Sequence, residues 1–170
     1  MANPLYDNLI SKHSNNNKCF LQQSGKSAVS FNQFSMRTSQ VANLLVKYGL
    51  KPGDRVAVQA AKTIEIVILY AATIQAGGVF LSLNTDYKKD EVTYFLKDAE
   101  PRIFVCDPFK VEDLKKFANQ LGSKVLTVDA HGEGSLLSEA NLMSKMFSTV
   151  DREPDDLAAL LYTSGTTGRS

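Results

Sequence analysis

From residue 55 onward, short apolar runs alternate with segments of helical period, and few folds satisfy such a pattern. Arg55 to Gln59 (RVAVQ), Val79 to Leu83, Arg102 to Cys106 (RIFVC), Lys124 to Val128 (KVLTV) and Leu157 to Tyr162 (LAALLY) read as strands. Between them, Ile64 to Ala76, Glu91 to Asp98, the stripe Leu114, Phe117, Ala118 and Leu121, and Ser135 to Phe147 read as helices. Gly77-Gly78 and Gly122 mark helix stops, and Asp107-Pro108 supplies an N-cap followed by proline at the first helical position. Strands that are apolar along their length need cover on both faces, and helices returning the chain to parallel neighbours provide it by right-handed crossovers. The expected fold class is therefore α/β, a mostly parallel sheet with helices on both faces.

The first 50 residues follow another plan. Ser24-Gly25-Lys26 sits between two short runs of β-forming residues within Cys19 to Phe31, the pattern of a β-hairpin. Val41, Leu44, Leu45 and Tyr48 then fall at i, i+3, i+4 and i+7, a single apolar stripe, with Gly49 placed to end the helix and Pro52-Gly53-Asp54 to turn the chain. The organisation expected is a hairpin and helix over residues 1–50, followed by an α/β sheet over 51–170.

Composition enters by exclusion. With 44% apolar and 22% charged residues, 170 residues can bury an ordinary core, and 19 basic against 18 acidic side chains leave a net charge of +1. No overall field attracts nucleic acid, so an anion has to be held by a local site. The longest apolar stretch, Ile64 to Ile74, carries Glu65 and is too short for a membrane span, which takes about 20 residues. Met1 to His13 has no apolar signal core and the first arginine is Arg37, so the expected location is cytoplasmic.

Cys19 and Cys106 lack CxxC spacing or clustered histidines and are expected to be reduced, buried small hydrophobes, with no metal site. His13 and His131 read as solvated surface side chains, and Phe80, Phe95 and Phe104 as core. Asn84 to Tyr87, after a strand, reads as a structural turn that could also line a ligand cleft.

Chemistry concentrates at the end of the last apolar run. Thr163 to Arg169 combine two glycines, three threonines, one serine and one arginine. Glycines let backbone N–H groups converge, hydroxyls add donors and a cation offsets charge, which together make the parts of a phosphate cradle. The place also suits the rule that α/β sheets bind ligands beyond the carboxyl ends of their strands. This is no Walker A loop, because the glycines are three apart and no lysine follows; on composition, a plain turn remains the other reading.

The run YTSGTTGRS resembles the phosphate-loop signature of the adenylate-forming superfamily, which comprises acyl-CoA synthetases, luciferases and peptide-synthetase adenylation domains. The likeness extends over nearly the whole chain: Val29-Ser30-Phe31, then Gly53 to Val58 (GDRVAV), Ile74 to Phe80 (IQAGGVF), Leu83 to Tyr87 (LNTDY) and Asp98 to Arg102 (DAEPR) occur in the superfamily's order and spacing. Within it, the blocks AGGVFLSLNTDY, IFVCDP and DDLAALLYTSGTTGRS are most similar to malonyl-CoA synthetases.

The resemblance implies an ATP-dependent acid-CoA ligase. A carboxylate attacks the α-phosphate of ATP to give an acyl-adenylate and pyrophosphate, and coenzyme A then displaces AMP. Thr163, Ser164, Gly165, Thr166, Thr167 and Gly168 are implied to hold the β- and γ-phosphates. Arg169 and Ser170 occupy loop positions too, at a chain end where fraying weakens their claim. The implied co-substrates are ATP with Mg²⁺, coenzyme A and a small-molecule carboxylate.

The resemblance also implies that these residues are the amino-terminal part of the large domain of a longer enzyme. No catalytic residue is then expected among them, and the 170 residues alone are expected to be inactive. Residues 1–50 are expected to pack on later residues, leaving apolar surface that favours self-association. Three other readings stay open: a fatty-acid-CoA ligase, a truncated module that binds nucleotide or a partner without turnover, and a generic dinucleotide-binding domain, the last lacking a GxGxxG run after the first strand.

Overall fold

The computed structural model describes residues 3–162. The hairpin is present: β1 (Cys19–Leu21) pairs antiparallel with β2 (Val29–Ser30), and Gly25 takes the positive φ of 75° that the turn needs. Cys19, expected to be buried, is exposed on β1, because a two-stranded ribbon of this length has no second face to cover; Cys106 is buried as expected.

Ser30 both ends β2 and caps α2 (Phe31–Lys47): its hydroxyl accepts from Gln33 N, and Gln33 Oε1 accepts from Ser30 N. The stripe Val41, Leu44 and Leu45 is fully buried, and the helix stops where Gly49 adopts φ 83° and Leu50 N reaches back to Leu45 O.

The α/β expectation holds. Strands β3 (Arg55–Gln59), β4 (Val79–Ser82), β5 (Ile103–Cys106), β6 (Lys124–Thr127) and β7 (Ala159–Leu161) form one five-stranded, wholly parallel sheet in the order β6-β5-β3-β4-β7. Helices α3 (Ile64–Gln75), α4 (Lys89–Ala99), α5 (Val111–Gln120) and α6 (Ser135–Ala140) lie in the crossovers.

Alternate strand residues face opposite ways. Val56, Val58, Ile103, Val105 and Leu126 join a core with α2, α3, α6 and Tyr6 of the short helix α1 (Pro4–Leu9). Ala57, Leu81, Phe104 and Cys106 join a second core with α4 and α5. Phe80, Phe95 and Phe104 are all buried, as their spacing implied.

One helix is shorter than its sequence suggests. The expected span Ser135 to Phe147 is helical only to Ala140. Beyond it, side-chain amides of α2 take the backbone carbonyls: Gln40 Nε2 donates to Asn141 O and Met143 O, and Asn43 Nδ2 to Ser144 O and Met146 O. Those competing donors hold residues 141–147 in an irregular course along α2.

Candidate functional site

A parallel sheet gathers the loops that leave its strands at one edge, the carboxyl edge. β4 and β7 run in register, with Leu81 opposite Leu160 and Ser82 opposite Leu161, so Tyr162 emerges at that edge level with the end of β4. The expected phosphate-loop residues, Thr163, Ser164, Gly165, Thr166, Thr167 and Gly168 with Arg169 and Ser170, follow directly and lie outside the described residues.

Tyr162 itself is anchored. Its ring packs at 4.4 Å between centroids on Phe95 of α4, and its hydroxyl donates to the Asp98 carboxylate. Burial first, and the hydrogen bond to the anionic Asp98 second, push its phenol up to about 12, so it stays a proton donor at neutral pH.

The strand order creates a crevice. β3 sends the chain to α3 on one face, whereas its neighbour β5 sends it to α5 on the other; a cleft opens where adjacent connections diverge. It measures about 360 Å³ and is lined by Gln59, Ala60 and Ala61 after β3, Thr85 after β4, and Asp107, Phe109 and Lys110 after β5.

Gln59 sits at its base, 1% exposed, donating through Nε2 to Asn84 O and Tyr87 O, both at 2.9 Å. Its Oε1 is buried with no partner among the described residues. Lys110 Nζ closes one side by donating to Thr85 O at 2.6 Å, and Phe109 stands at the rim, 94% exposed. Asp107 accepts from Phe109 N at 2.9 Å, the cap its sequence position implied.

Sequence reasoning did not single out Gln59, Phe109 or Lys110 for binding. Gln59 left one signal, a polar residue closing an otherwise apolar strand, RVAVQ. The segment Asn84 to Tyr87 is a turn fastened by Gln59 through the carbonyls of Asn84 and Tyr87, and Thr85 lines the crevice.

A second polar cluster lies between the hairpin turn, α2 and α3. Glu65 accepts from Arg37 Nη2 at 3.0 Å and pairs with Lys26 Nζ at 3.4 Å, beside a cleft of about 680 Å³ that Gln33, Gln40 and Lys145 also line. Burial alone would raise the Glu65 pKa; its backbone hydrogen bond, Arg37 and Lys26 outweigh that and hold the carboxyl below the usual glutamate value.

Among the described residues, no three His, Cys, Asp or Glu side chains gather as metal ligands, and no helix is long and apolar enough to cross a membrane.

Comparison with known proteins agrees with this architecture. ATP-bound MatB from Rhodopseudomonas palustris superposes with a TM-score of 0.94 at 45% identity, over 99% of this chain and 34% of that one. Oxalate–CoA ligase of Arabidopsis thaliana is 32% identical over 132 residues, covering 75% of this chain and 26% of the relative. Tyrocidine synthase 2 of Brevibacillus parabrevis is 30% identical over 141 residues, 83% of this chain and 4% of the relative. The chain thus spans about a third of the solved structure it matches and less of these relatives. The family model described as AMP-binding enzyme matches residues 11–170, from just after α1 to Ser170, and the chain belongs to that family.

Proposed function

We propose that this chain is the amino-terminal part of an AMP-forming acid-CoA ligase, and that Thr163 to Gly168 hold the β- and γ-phosphates of its ATP. The observation that supports this reading is where β7 ends: an apolar strand parallel to β4 releases Tyr162, the residue before the Ser/Thr/Gly run, at the carboxyl edge of the sheet. Backbone N–H groups converging there would meet the charge that builds up as the acid's carboxylate attacks the α-phosphate and pyrophosphate leaves. Coenzyme A thiol then displaces AMP. Arg169 and Ser170 extend the same loop.

The described residues do not fit a protein-held Mg²⁺, since no carboxylate cluster is present among them; in this reading the ion arrives on the phosphates of ATP. The crevice of Gln59, Thr85, Phe109 and Lys110 gives the same edge room for a co-substrate. Malonate is the acid favoured, on the sequence blocks Ala76 to Tyr87, Ile103 to Pro108 and Asp155 to Ser170 that resemble malonyl-CoA synthetases. Of residues 1–50, the exposed Leu9, Phe20 and Val46, together with Leu157 and Leu161, would be covered by later parts of the enzyme, and left uncovered they favour self-association. The 170 residues alone turn nothing over.

The test is AMP release by the longer protein with malonate, oxalate or a fatty acid, alongside calorimetry of Mg-ATP with the 170-residue chain. Malonate-dependent AMP with no turnover by the chain alone is the expected result. AMP formed only with a fatty acid would move the substrate and leave the ligase reading in place. Turnover by the chain alone, or no AMP with any acid, would overturn it.

A further inference from the structure

The cleft beside the hairpin turn is assembled from four segments distant in sequence. Lys26 comes from the turn, Gln33 and Arg37 from one face of α2, Glu65 from the first turn of α3, and Lys145 from the irregular run beyond α6. All of its lining lies between residues 26 and 145, and none is shared with the crevice beside β3.

Its charge is lopsided. Lys26, Arg37 and Lys145 face a single carboxylate, Glu65, an excess of two positive charges in a chain whose net charge is +1. Glu65 holds two of these cations in place: Arg37 Nη2 at 3.0 Å, and Lys26 Nζ at 3.4 Å, which also donates to His131 O at 2.7 Å. Arg37 keeps the rest of its guanidinium for other partners, its side chain being 30% exposed. Lys145 is exposed and has no side-chain partner among the described residues.

Cations fixed before a ligand arrives need little reorganisation, and a cleft of about 680 Å³ has the size of a small-ligand pocket. Buried Val29 and Ile64, with half-buried Met36, give it an apolar wall.

We infer that this cleft binds a phosphate-bearing anion, with the phosphate between Arg37 and Lys145. A phosphate dianion matches the excess of two positive charges, and its oxygens accept from a guanidinium and an ammonium at once. A monocarboxylate brings half that charge and fewer acceptors. Bound there, the phosphate bridges α2 to the run 141–147, which Gln40 and Asn43 already hold against that helix.

The experiment titrates the chain with inorganic pyrophosphate, without Mg²⁺ and at low salt, by calorimetry. Lys145→Glu should weaken binding at least about tenfold, because it reverses a charge at the site. Lys116→Glu, on the exposed side of α5 across the sheet, makes the same change in net charge and should weaken binding less than about twofold. No binding of pyrophosphate, or an equal loss in the two variants, overturns the site. The contrast should persist in the longer protein; its disappearance there would mean that other parts of the enzyme fill the cleft, and would overturn it too.

Two further probes fix the ligand class. AMP binding more tightly than pyrophosphate, with the same loss in Lys145→Glu, would identify an organic phosphate whose body lies on Val29, Met36 and Ile64; the reverse order would identify a bare phosphate, and either upholds the site. Malonate, a dianion without phosphorus, should bind at least about tenfold more weakly than pyrophosphate. Equal affinity would overturn the phosphate assignment. Amide hydrogen exchange locates the event: pyrophosphate should slow residues 141–147 and leave residues 84–88 of the crevice unchanged. Slowing at 84–88 without slowing at 141–147 would place the ligand elsewhere and overturn the inference.

Discussion

Arg37 Nη2 donates to Glu65 Oε1 across 3.0 Å, joining α2 to the first turn of α3. Lys26 of the hairpin turn adds a second cation at 3.4 Å from Glu65 Oε2 and donates to His131 O at 2.7 Å. One carboxylate, 8% exposed, therefore ties the hairpin to two helices, and Lys26 carries the tie on to the loop after β6.

Acid should loosen that tie first. Because the folded state holds the Glu65 carboxyl below its ordinary value of 4.5, the associated stability is complete above that value and is lost as pH falls through the lower folded-state pKa. Denaturant melts from pH 7 to pH 3 should show this loss in the wild type and a shallower one in Glu65→Gln. Arg37→Ala should cost about 2 kcal/mol at pH 7, less than a fully buried pair because Lys26 remains and Arg37 is partly solvated. Equal acid slopes in wild type and Glu65→Gln would refute this account.

Gly132 is placed against the same carboxylate. It adopts φ 82°, and a Cβ there would run into Glu65 Oε2. Gly132→Ala should destabilise by about 1–3 kcal/mol, from backbone strain and from displacement of the ion pair. Combined with Glu65→Ala, its cost should fall short of the sum of the single costs, since one shared contact is removed twice. Urea melts of the three variants measure the difference.

Gln59 holds the base of the crevice. Gln59→Ala removes the donors to Asn84 O and Tyr87 O and leaves two carbonyls without them, at about 1–3 kcal/mol. Amide exchange should quicken across residues 84–88 while that of β6 stays as it was. Uniform quickening over the whole sheet would mean that Gln59 supports the fold at large and not this edge.

The two thiols should separate cleanly. Burial, with Asp107 adding to it, pushes the Cys106 thiol up to about 12, whereas Cys19 is exposed on the hairpin. At pH 8 an aromatic disulfide reagent should label Cys19 rapidly and Cys106 only after denaturation. Fast labelling of both in the native protein would contradict the packing of β5.

Local pattern made much of this legible. The strand Arg55–Gln59 follows from RVAVQ residue for residue, and Gly49, Gly77 and Gly122 all take the positive φ their positions as helix stops require. α6 ends earlier than its local period suggests because the donors that divert residues 141–147, Gln40 and Asn43, lie about a hundred positions away in sequence.

The candidate site divides in the same way. The proposed phosphate-binding residues, Thr163 to Gly168, stand out as a Ser/Thr/Gly run and by resemblance, because they are consecutive in the sequence. The Tyr162–Asp98 contact just before them does not, since the two residues are 64 positions apart and meet only when β7 lies beside β4.

By itself, then, the sequence determined most of the strands and helices, most of their stops, and that the sheet is parallel and covered on both faces. These follow from period, burial and backbone freedom within a few residues. Tertiary structure alone decided the order β6-β5-β3-β4-β7, and with it the crevice between β3 and β5, the buried Gln59, the three-way ion pair at Glu65 and the seat of Tyr162 on α4. Each of these joins residues far apart in the chain, and such contacts are chosen by the packing of whole elements, which no local pattern encodes.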